Sequence, residues 1–76
     1  MVMDYQGDAL RLLGRQITQL RQQQQMNIDS LAARTGLDPT ELAAMEAGRI
    51  DITIPTIVLL AQAFELTPDQ FLSFLP

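Results

Sequence analysis

Apolar residues recur along the chain at helical spacing. Leu10, Leu13, Ile17 and Leu20 follow one another at intervals of three, four and three residues, one stripe of a helix predicted over about residues 5–24. Arg11, Arg15, Gln19 and Gln22 fall off that stripe, and the Gln run at 22–25 reads as its polar, solvated last turn. Asn27 is a good N-cap, because its side-chain oxygen can accept from an orphaned backbone N–H. It opens a second helix predicted over residues 28–35, with Leu31 and Ala32 inward and Gly36 at the left-handed terminus. Asp38-Pro39-Thr40-Glu41 then has a cap, a proline where no N–H is needed, and a third-position Glu, the pattern of a capping box. The helix it starts runs to about Glu46 and is stopped by Gly48.

Ile50, Ile52 and Ile54 alternate with polar residues, but no partner strand is legible elsewhere, so the segment is predicted to be an extended linker. Pro55 is expected to hold Ile54 extended and to open a fourth helix, with Ile57, Leu60, Ala61 and Phe64 on one face. Thr67-Pro68-Asp69-Gln70 repeats the cap, proline and third-position pattern, opening a fifth helix that should end near Leu75 and carry Phe71, Leu72, Phe74 and Leu75 on one face. The fold class is all-α: five short helices around one small core.

Within that series, residues 27–48 are two short helices joined by a Gly-containing turn of about four residues, the helix-turn-helix arrangement. Ala32 is small where the two helices cross, Leu37 plugs the turn, and Leu42 and Met45 anchor the second helix.

Composition narrows what such a unit does. The 76 residues contain no Cys, His or Trp, and all five basic residues are Arg. No thiolate metal site can form, and the commonest general base and the strongest nucleophile are both absent. The chain therefore reads as no enzyme, with no cofactor and no metal. Hydrophobic residues at 47% against 18% charged are enough to fold. The length fits one domain over residues 1–76. No apolar run is long enough to cross a membrane. Asp4 and Asp8 replace the basic start of a secretory signal, so a cytoplasmic protein is expected. Nine acidic residues against five Arg leave a net charge of −4, unusual for a surface that meets phosphates.

Leu20-Arg21, Leu31-Ala32, Gly36-Leu37, Leu42, Glu46 and Gly48-Arg49 resemble, in order and spacing, the phage-repressor/Cro helix-turn-helix family, the xenobiotic-response-element class of bacterial regulators. Leu60-Ala61, Phe64, Thr67 and Phe71-Leu72 are similar to that family's last two helices, so the likeness runs from about Leu10 to Leu75. The resemblance implies a lambda-repressor-like DNA-binding domain. It implies a transcriptional regulator binding a two-fold symmetric site on double-stranded DNA as a dimer, the helix near 39–46 lying in the major groove. By the same resemblance, Asp38, Pro39, Thr40, Ala43 and Ala44 face base edges. Asn27 and Ile28 take phosphate-contacting places and Arg49 grips the backbone after the helix. Arg21 and Glu46 match a structural ion pair.

This chain departs from the family's pattern in places. Ile28 stands where Gln is frequent, Gln25 where Gly commonly ends the first helix, and Ala43 and Ala44 offer only methyl groups. From Asn27 to Gly48, four acids face Arg34 alone, a local balance of −3. An alternative function is thus a protein-interaction or antitoxin-like module on the same fold, with Pro39, Ala43 and Ala44 meeting a protein partner. Ile50, Ile52 and Ile54 in the linker, Val58 and Leu59 off the main stripe, and Phe74 and Leu75 at the end are more than so short a chain can bury. They are read as a homodimer patch.

Overall fold

A computed structural model of the chain describes residues 5–74; Asp4 and Leu75 lie outside them. Five helices follow in order: α1 (Tyr5–Gln23), α2 (Ile28–Thr35), α3 (Pro39–Glu46), α4 (Ile54–Ala63) and α5 (Pro68–Phe71). No strand occurs among the described residues, and residues 50–53 form the irregular linker that the lone alternation suggested.

α3 packs against both α1 and α2, α4 against α2, and α5 against α4. The core they enclose is built from Leu13 and Ile17 of α1, Leu31 and Ala32 of α2, Leu42 and Met45 of α3, and Leu60, Ala61, Phe64 and Phe71 from the C-terminal part. Leu20, Leu37, Ile57 and Leu72 pack against it from the edge. The Phe64 and Phe71 rings stack with centroids 6.2 Å apart, which fastens the end of α4 to α5.

Helix ends account for much of the chain's path. Asn27 Oδ1 accepts from the Ser30 N–H at 2.8 Å, and Gly36 closes α2 with a left-handed φ of 77°. Three helices end alike. The Met26 N–H donates to the Arg21 carbonyl, Arg49 to Ala44 and Leu66 to Ala61, each across a left-handed residue. That residue is Gly48 after α3, but Gln25 after α1 and Glu65 after α4, at φ 57° and 61°. Met26, the apolar residue beyond Gln25, is buried in the core. It belongs to no helical stripe, and the chain reversal alone brings it inward.

Three expectations are corrected. The cap of α4 is Thr53, whose Oγ1 accepts from the Thr56 N–H, so Ile54 is the first helical residue and not the last extended one. The Glu41 side chain completes no capping box: Asp38 Oδ1 accepts from the Thr40 N–H at 2.7 Å, whereas the box expected at Thr67 and Gln70 does form. α5 ends at Phe71. The Ser73 N–H and hydroxyl both turn back to the Gln70 carbonyl, tightening the chain where a further helical turn was expected.

Candidate nucleic-acid interface

The position of α3 is set by a close crossing with α1. A Cβ on Gly14 would lie 2.4 Å from the Met45 carbonyl oxygen and 2.6 Å from that of Glu46, so only glycine lets the last turn of α3 rest on α1. Gly48 adds a second contact, its Cα facing the Arg11 backbone across 3.1 Å for an added Cβ. Neither approach is visible as periodicity, because glycine contributes nothing to an apolar stripe.

Beside this crossing stands the Arg21–Glu46 pair. Arg21 Nε donates to Glu46 Oε2 at 2.9 Å and its Nη2 to Oε1 at 3.1 Å, a two-pronged geometry. Thr18 donates its hydroxyl to Oε1 at 2.8 Å, and Arg21 Nη1 reaches the Met26 carbonyl at 3.0 Å. The two side chains are 16% and 10% exposed. Hydrogen bonding to Glu46, against an opposing effect of partial burial, raises the Arg21 pKa above its ordinary value. Thr18 was not singled out in the sequence; it lies four residues from Gly14, on the turn facing α3.

With α3 held this way, Asp38, Pro39, Thr40, Glu41 and Ala43 are exposed and Ala44 is half-exposed. Thr40, Ala43, Ala44 and Ala47 fall on one stripe of α3, opposite buried Leu42 and Met45. Arg49 is exposed just beyond the helix. Asn27 is exposed at the head of α2, whereas Ile28 packs part of its side chain against the core.

The two helix starts differ. At α2 the Ile28 and Asp29 N–H groups precede the capped Ser30, in the first turn where no carbonyl of the helix can accept from them. At α3, Pro39 has no N–H and the Thr40 N–H is taken by Asp38. The Leu42 N–H bonds the Asp38 carbonyl, so fewer backbone donors of that turn are open than at α2.

The arginines divide similarly. Arg11 pairs with Asp8, Arg34 Nη1 donates to the Ala63 carbonyl at 3.3 Å, and Arg21 is held by Glu46. Among the described residues Arg15 and Arg49 make no such contact. The Gln run is not wholly solvated either. Gln24 Nε2 donates to the Phe64 carbonyl at 3.0 Å, and Gln16 Nε2 reaches the Phe71 carbonyl at 3.2 Å, so α1 satisfies the open ends of α4 and α5.

The apolar patch read from the sequence divides. Ile50, Ile52 and Phe74 pack against the core. On α4, Ile54 is 75% exposed with half-buried Val58 one turn on, and Leu59, 38% exposed, lies further round the helix beside Arg34 and Gln62. Leu12, at 41% exposed, was not singled out in the sequence and lies on α1 beside Phe74.

A two-helix unit with a Gly turn, its second helix propped outward on a third, defines a helix-turn-helix DNA-binding fold. The sequence profile of the helix-turn-helix family matches residues 17–71, and the chain belongs to that family, in its Cro/repressor-type branch. It is a DNA-binding transcription regulator. The crystal structure of the restriction-modification controller protein C.AhdI from Aeromonas hydrophila is similar, with a TM-score of 0.80 and 25% sequence identity. The likeness covers 84% of this chain and 97% of that one. A search of the curated proteins found no significant match. Among the described residues no helix is long and apolar enough to cross a membrane.

Proposed function

We propose that the chain controls transcription by binding a two-fold symmetric DNA site as a homodimer, with α3 in the major groove of each half-site. The observation that carries this reading is the outward face of α3, held on α1 at Gly14 and flanked by the α2 start and Arg49. Thr40, Ala43 and Ala44 meet base edges. The Ile28 and Asp29 N–H groups, with the Asn27 amide, take one phosphate, and Arg49 takes another. Ile28 thus acts through its backbone, its side chain having no polar group to offer. Asp38 shapes the helix start through Oδ1, which accepts from the Thr40 N–H, and its exposed carboxylate keeps Oδ2 at the edge of the same face. The likeness to a restriction-modification controller protein supports a regulatory role for this chain as well.

Exposed Ile54 and Leu59, with Val58, support dimerisation through α4. Both exposed positions tolerate charge without disturbing the core. Ile54→Asp combined with Leu59→Asp is expected to leave the helical circular-dichroism spectrum intact and to convert a dimer at high micromolar concentration into a monomer by light scattering. A wild-type chain that is already monomeric there removes the dimer from the reading.

The function is tested by selection from random-sequence duplexes at low and moderate salt. Enrichment of a two-fold symmetric motif supports it. A second reading, a protein-interaction module on the same fold, draws on exposed Asp29, Asp38 and Glu41 around the recognition helix. No duplex retained even near about 50 mM salt favours that module.

A further inference from the structure

The hydrogen-bonding inventory of α3 points to what its DNA site contains; this rests on the major-groove reading above. Specific readout is usually dominated by Arg or Lys on guanine and Asn or Gln on adenine. α3 carries none of these four residue types anywhere from Pro39 to Glu46. Its inner carboxylate, Glu46, is held by Arg21 and Thr18, and the flanking Asp38 is engaged at the cap. Exposed groups left on the helix are the Thr40 hydroxyl and methyl, the methyls of Ala43 and Ala44, and the Glu41 carboxylate, which has no partner among the described residues. The Ala side chains let the helix backbone approach the groove floor closely.

We propose that Ala43 and Ala44 read each half-site through thymine C5-methyl groups, with Glu41 accepting from the N4 amino group of a cytosine beside them. Apolar side chains pack on the thymine methyl, and a carboxylate pairs with the one major-groove donor that cytosine presents. Guanine and adenine are selected only as the complements of those bases.

The experiment begins with the duplex enriched by the wild-type chain and replaces each thymine in turn with uracil, which removes the methyl and keeps every hydrogen-bonding group. Affinity should fall about fourfold at one or two positions per half-site, the effect of one buried methyl, and stay within error elsewhere. The same selection with Glu41→Gln, an exposed substitution that leaves the thermal melt unchanged, should exchange an enriched cytosine for adenine. A symmetric motif that binds equally well with uracil throughout overturns the methyl readout. A Glu41→Gln motif identical to the wild-type motif overturns the cytosine contact. Absence of any enriched duplex removes the DNA reading itself, and this proposal with it.

Discussion

At Gly14 a single methyl group would land 2.4 Å from a backbone oxygen of α3. Neither partner is the end of a flexible side chain, so α3 must shift bodily to admit it. Gly14→Ala is expected to destabilise the fold by about 3 kcal/mol, the upper range for overpacking, measured by urea denaturation, despite the better helix propensity of Ala. A loss below about 0.5 kcal/mol means that the helices sit farther apart than described. Gln25 is the converse case. Its left-handed φ of 57° is one that glycine adopts without strain. Gln25→Gly should raise stability by about 0.5–1 kcal/mol, or Tm by about 4 °C for a domain this size. Arg21→Ala takes the cation from the Glu46 carboxylate, which keeps the Thr18 hydroxyl, and the donor from the Met26 carbonyl. The expected loss is about 3 kcal/mol, and a melt unchanged within error refutes a stabilising pair.

The helices themselves were largely legible, because their signals are local. Asn27, Gly36, Asp38-Pro39, Gly48 and Thr67-Pro68 act within four residues of where they stand. Misreadings arose where two local signals compete. Before Pro55 the steric bias toward extended backbone yields to the Thr53 cap, and at α5 the return of Ser73 to Gln70 ends a helix whose apolar residues continue. The α5 box is the more complete of the competing capping signals, with both Thr67 and Gln70 bonded. Thr67→Ala is expected to cost about 1 kcal/mol and to loosen Phe71 from Phe64, seen as a change in the near-ultraviolet circular dichroism of the phenylalanines. An unaltered melt and spectrum mean that the stacked rings hold α5 without its cap.

For the whole molecule, the −4 charge acquires a distribution. Three of the five arginines are engaged within the chain, which leaves Arg15 and Arg49 as the exposed arginines without a partner among the described residues. Each phosphate neutralised adds about −0.9 to the slope of log affinity against log salt. A dimer is therefore expected to show a slope no steeper than about −4, measured by fluorescence anisotropy across about 50–200 mM salt. A slope near about −7 means that Arg11 and Arg34 leave Asp8 and Ala63 for phosphates.

The sequence by itself determined the all-α class, the order of five helices, most of their caps and the helix-turn-helix unit. Periodicity and capping act over a few residues and survive in one dimension. Tertiary structure alone decided the rest. It put Gly14 beneath the α3 carbonyls, Thr18 on Glu46, Met26 into the core, and the Gln16 and Gln24 amides onto the ends of α5 and α4. It also split the apolar surplus, turning Ile50, Ile52 and Phe74 inward and leaving Ile54 and Leu59 outside. Each of these depends on close approach between residues far apart in the chain, and neither the spacing nor the type of a residue states which distant atom it will meet.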